Sequence, residues 1–175
     1  FAHTLYSALS KIYVNVQTKP ILMTAAEVWF LRAEAALRGW TAEDPRICYD
    51  QGSRCSFSQW QVAGVETYLQ SDCRAADFED AFTPENNIKA RCLVSPRWDD
   101  AASDEMKLER IITQKWLAVF PEGCEAWAEQ RRTGYPRLFS VRYNNSRNGC
   151  VDTEKMIRRL NYPSSILDSD NGQYE

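Results

Sequence analysis

Residues 106–139, MKLERIITQKWLAVFPEGCEAWAEQRRTGYPRLF, limit the possible folds more than any other stretch of the chain. Leu108, Ile111, Ile112, Trp116 and Val119 recur at the three-and-four spacing that aligns side chains on one helix face. A face that apolar has to be buried. Ser103 is placed to cap the start, Asp104 and Glu105 suit the positive first turn, and Pro121 with Gly123 breaks the pattern. A second helix is predicted over 122–132. Gly134 suits a left-handed helix end, and Pro136 has no N–H with which to continue. The stretch reads as a helix hairpin over 104–134 with a sharp exit.

A second hairpin is predicted over 24–60. Thr24 and Glu27 form a T-x-x-E capping box ahead of AAEVWFLRAEAALRGW, and Gly39 supplies the stop. Val28, Leu31 and Ala35, with the small Ala33 and Ala36, are expected to pack closely on a partner helix. That partner is predicted over 45–60, after a short acidic turn, with Pro45 tolerated in its first turn. With Trp29, Tyr49 and Trp60 filling between them, the pair looks like one tetratricopeptide-type hairpin. One such pair has to stack on neighbours, so a part of the protein upstream of Phe1 is expected. Residues 61–103 lose the pattern apart from a short helix near 65–69, and read as a long, elaborated connection broken by Pro84, Asn86, Asn87 and Pro96. Residues 1–17 suit an approach segment or short strand, and 135–175 an irregular tail with a short helix near 153–156. The fold class is all-α with long irregular loops.

Composition narrows the function classes. With 175 residues, 44% of them hydrophobic, the chain suits one domain or a large part of one. A net charge of −3, with acidic and basic residues intermixed, provides no basic face for a phosphate backbone, so no nucleic-acid partner is expected. No apolar run is long enough to cross a bilayer. The six cysteines, Cys48, Cys55, Cys73, Cys92, Cys124 and Cys150, include no CxxC pair and have one histidine, His3, beside them, so no zinc site or other metal or cofactor is expected. Cys48 and Cys55 lie roughly 10 Å apart along one predicted helix, too far to bond. Most of the cysteines are read as small buried residues, with disulfides, for which six cysteines allow fifteen pairings, as the alternative.

AAEVWFLRAEAALRGW, YDQGSRCSFSQW, LERIITQKWLAVFPEGCEAWAEQRRTGYPRLF and RRLNYPSS, in that order, resemble the C-terminal part of the SusD/RagB-like family. The resemblance implies a helical fold on tetratricopeptide-like hairpins, in a lipoprotein of the Bacteroidetes outer membrane exposed at the cell surface. It further implies a non-catalytic subunit that binds nutrients, chiefly glycans, and hands them to a SusC-like TonB-dependent transporter. Family members are much longer and carry a lipidated N-terminal cysteine, so this chain resembles a C-terminal fragment whose lipid anchor lies elsewhere. Two alternatives stand beside that reading: a peptide-binding RagB-like importer subunit, and a helical-repeat module that binds another protein.

Glycan binding requires aromatic faces flanked by groups that bond hydroxyls. Trp98 with Arg97, Asp99 and Asp100, and Tyr143 with Asn144, Asn145 and Arg147, have that composition and form the candidate contacts, with surface packing as the competing role. Trp29, Trp116 and Trp127 lie within helical patterns and are read as core. Arg131 and Arg132, following Glu125 and Glu129, are read as helix-surface pairs that anchor neighbouring helix ends. A glycosidase needs two carboxylates on opposing walls of a cleft, whereas adjacent turns of one helix place Glu125 and Glu129 on a common face. No catalytic residue is assigned.

Overall fold

A computed structural model describes residue 17 and residues 20–141, 144–146 and 151–160. The expected approach segment at 1–16, Tyr143, Arg147 and Cys150 lie outside the described residues. The chain divides into two compact units, Phe1–Phe139 and Ser140–Glu175.

In the first unit Thr24 sits in extended backbone and its hydroxyl accepts the Glu27 N–H at 3.1 Å, while the Glu27 carboxylate bonds the Thr24 backbone in return. The capping box therefore starts helix α1, Ala25–Leu37. Asp44 caps α2, Pro45–Gln59, by accepting the Arg46 and Ile47 amides at 2.8 and 3.3 Å. A short α3, Val65–Leu69, follows. Ser103 caps α4, Asp104–Ala118, through the Met106 amide, and Gly134 ends α5, Gly123–Thr133, at φ 81°. Only glycine adopts that left-handed geometry without steric cost.

The packing face of α1 differs from the one expected. Val28 and Leu31 are exposed at 40% and 38%, while Ala26, Glu27, Phe30, Ala33 and Glu34 are buried. The inward face is thus partly ionic, and because its two carboxylates read as surface residues in the sequence, the apolar stripe is assigned to the wrong side. Ala26 and Ala33 let α2 approach closely, and Gly52 of α2 lies under the Phe30 ring. A Cβ at Gly52 would meet the Phe30 Cε1 and Cζ atoms at 2.9 Å, and Phe30 is 1% exposed and packed edge-on to Tyr49. Overpacking costs about 1–3 kcal/mol, against a helix-propensity gain of about 1 kcal/mol. Gly52→Ala is therefore expected to lower the urea unfolding midpoint; an unchanged or higher midpoint would show that the ring can yield.

Residues 61–103 have little regular structure but are extensively bonded. Asp80 accepts the Phe82 and Thr83 amides, Asp77 accepts the Ala90 amide, and Phe78 and Ile88 form an antiparallel bridge. From 92 to 98 burial alternates, with Cys92, Val94, Pro96 and Trp98 buried and Leu93 and Arg97 exposed between them. Tyr49, fully buried, donates its hydroxyl to the Pro96 carbonyl at 2.6 Å and fastens this segment to the helix core. On α4, Ile111 and Ile112 are fully buried as expected, whereas Leu108 and Trp116 are half-buried.

In the second unit, Val141 N–H donates to the Thr153 carbonyl at 3.0 Å. The helix expected near 153–156 is not formed. Asp152 accepts the Glu154 and Lys155 amides as a helix cap does, at 2.7 and 2.8 Å, but the turn does not propagate.

Candidate functional site

Two features stand out in the first unit: a buried ionic cluster that holds the helices, and an open groove. Lys115 of α4, 1% exposed, bonds Glu129 at 2.9 Å and Glu125 at 3.1 Å on α5, with Glu27 of α1 at 3.9 Å. Arg132 of α5 grips Glu34 of α1 at 2.6 and 2.7 Å and Glu129 at 2.7 Å, and Arg38 adds a bond to Glu34 at 2.8 Å. Burial pushes the Glu34 carboxyl up, but the hydrogen bonds from Arg132 and Arg38 outweigh it and hold the group below the usual carboxylate range. At Glu27 burial prevails over the Lys115 charge, and the carboxyl lies above that range. Glu125 and Glu129 converge on one ammonium, so neither faces the other across a cleft. Arg131 instead stacks over the Trp127 ring at 4.6 Å.

The groove, of about 410 Å³, lies between the outer face of α4, the 92–96 segment, residues 71–75 and the 136–139 exit. Trp116 and Leu117 form its helical side and Val94, Pro96 and Pro136 contribute apolar surface. Tyr68 donates to Gln114 Oε1 at 2.9 Å at one edge. Phe139, 44% exposed, is propped edge-on by Phe78 with ring centres 6.5 Å apart. Arg74, Arg91 and Arg137 complete the lining. Trp116 and Leu117 also border a second concavity of about 610 Å³ with Trp60, Val62 and Phe120.

Of the contacts expected from sequence, Arg97, Trp98 and Asp99 do not line this groove. Trp98 is 8% exposed, its ring centre is 5.2 Å from that of Tyr49, and its indole N–H donates to Asp100 at 2.9 Å. It is a core residue, without the open face that stacking on a sugar needs. Arg97 pairs with Asp72 at 3.0 Å, and Asp99 accepts the Ala101 amide at 3.0 Å; both are exposed. In the second unit the Asn144 side chain is engaged locally, donating to the Val151 carbonyl and accepting from the Ser146 amide and hydroxyl, while Asn145 is exposed. Trp116, expected in the core, lines the groove instead. Its companions Arg74, Arg91, Arg137 and Phe139 were not singled out from sequence, because they come from loops that only the folded chain brings together.

Comparison with known proteins gives a consistent result. Residues 2–175 match the family described as SusD-like, Susd and RagB outer membrane lipoprotein. The chain is similar to a SusD homologue from Bacteroides vulgatus, with 48% identity, a TM-score of 0.81, and 91% of this chain and 32% of that one covered. It is also similar to a chitin-binding SusD homologue from Flavobacterium johnsoniae, with 46% identity and a TM-score of 0.77, over 86% of this chain and 32% of that one. A SusD-like protein from Bacteroides thetaiotaomicron is 35% identical with a TM-score of 0.80, over 91% and 34% respectively. The chain therefore spans about a third of the length of these relatives. None of the curated proteins matches it.

Proposed function

This chain belongs to the SusD-like family of outer membrane lipoproteins, and from that premise we propose that it serves a cell-surface subunit that captures glycans without cleaving them. The subunit is held at the outer membrane by an N-terminal lipid and passes its ligand to a SusC-like TonB-dependent transporter. The family match over residues 2–175 carries this reading. The chitin-binding relative at 46% identity supports a saccharide ligand, and the groove supports one physically. Trp116 and Phe139 offer aromatic surface there, and Gln114, Thr113 and the arginines offer hydrogen-bonding groups at its edges.

Isothermal titration of the protein against soluble chito-oligosaccharides, xylan, starch and pectic fragments, with a peptide mixture as control, tests the proposal. At least one glycan is expected to bind, with no new reducing ends released on prolonged incubation. A response to peptides alone would replace the reading with peptide capture, and release of reducing ends would overturn the non-catalytic assignment. Silence towards glycans and peptides alike would overturn the ligand-binding role for this chain.

A further inference from the structure

The charge of the groove differs from that of the chain. Acidic residues outnumber basic ones, 24 to 21, yet among the described residues the groove is lined by Arg74, Arg91 and Arg137 and by no Asp or Glu. Three acidic residues near it in sequence have partners of their own. Asp72 pairs with Arg97 at 3.0 Å, and Asp77 holds Lys89 at 2.5 Å and the Ala90 amide at 2.8 Å. Glu109, the partner of Arg137, is 4% exposed and stands off at 3.5 Å, so it balances that guanidinium from the buried side.

On this basis, and resting on the glycan reading above, we propose that the groove selects saccharides that carry carboxylates, of the uronic-acid kind. The arginine rim reads the acid while Trp116 and Phe139 take the face of the sugar. Guanidinium groups present paired N–H donors that match a carboxylate, and their attraction is stronger beside an apolar floor than in open water. A bare inorganic anion would leave the apolar surface of Val94, Pro96, Leu117 and Pro136 uncovered. A ring with one charged edge and one apolar face satisfies both.

The test compares oligogalacturonate with the same oligosaccharide after carboxyl reduction to neutral galactan, titrated into the intact protein at low and moderate salt. The acidic form is expected to bind at least about tenfold more tightly, with a margin that narrows as salt is raised, since rim charges are screened. Arg74→Ala, at an exposed position, is expected to remove most of that margin, lowering affinity for the acidic form by a clearly larger factor than affinity for the neutral one. Arg137→Lys, which keeps the charge opposite Glu109 but loses the fork, is expected to reduce it in part. Equal binding of both forms, or a margin unmoved by either variant, would overturn acid selection while the glycan reading stands. Binding of neither form, with other glycans also silent, would remove both, and binding of acidic peptides without any glycan would assign the arginines to peptide capture.

Discussion

Replacing Lys115 with methionine is expected to lower the unfolding free energy by about 3–5 kcal/mol, the usual cost of breaking a buried ion pair from one side. The ammonium is 1% exposed and touches carboxylates from α1 and α5; without it buried Glu27 loses its cation and buried Glu129 keeps only Arg132. Glu125 is 40% exposed and adds little, since water screens it. Urea unfolding at neutral pH measures the loss, and a deficit under about 1 kcal/mol would show that the cluster is dispensable. Adding Glu129→Gln to Lys115→Met should restore part of the loss.

The pH dependence follows from the two opposite shifts. Glu27 binds its proton more readily folded than unfolded, so its contribution is present below the ordinary carboxylate value and is lost as pH rises through its raised one. Glu34 behaves in the opposite sense: its contribution is present above the ordinary value and is lost as pH falls through its lowered one. Lys115→Met removes the cation that favours ionised Glu27, which raises that carboxyl further. The variant's deficit is therefore expected to shrink as pH is lowered from neutral towards the carboxylate range. A deficit that is constant or grows over that interval would assign the loss to packing.

Trp98→Ala is expected to destabilise the protein by about 3–5 kcal/mol, as deletion of a buried aromatic does, while the folded protein keeps its glycan affinity. The ring packs on Tyr49, which also meets Phe30, so one cavity would open against the centre of the core. The Asp100 carboxylate would lose one donor but keeps Arg46 at 3.1 Å. Thermal unfolding together with titration of the refolded variant separates the two effects. A stable variant that no longer binds glycan would return Trp98 to the ligand surface.

Trp98 and Glu34 show where sequence reasoning succeeds and where it stops. The helix ends were legible because capping is local: Thr24, Ser103 and Gly134 each act within three or four residues of where they stand. The family was legible in blocks for the same reason, since the first three of those blocks fall on α1, α2, α4 and α5. The partners of Glu27 and Glu34 were not, because charged residues on a helix are ordinarily solvated, and what makes these different is a lysine and an arginine from helices far along the chain. Trp98 follows a run of alternating burial from Cys92 through Val94 and Pro96, a period-2 signal hidden within a stretch dominated by turn residues. The groove was out of reach for a related reason. Its arginines lie at 74, 91 and 137, with nothing periodic between them.

The bond from Arg132 to Glu34 spans 98 positions, and with Lys115 it ties α1 to α5. Closing so long a loop costs entropy before any contact repays it. The α1–α2 hairpin is built from neighbours in sequence, whereas Glu34 takes its bidentate partner from across that distance. Loss of α5 would therefore strip Glu34 of its bidentate partner and leave Lys115 with Glu27 alone.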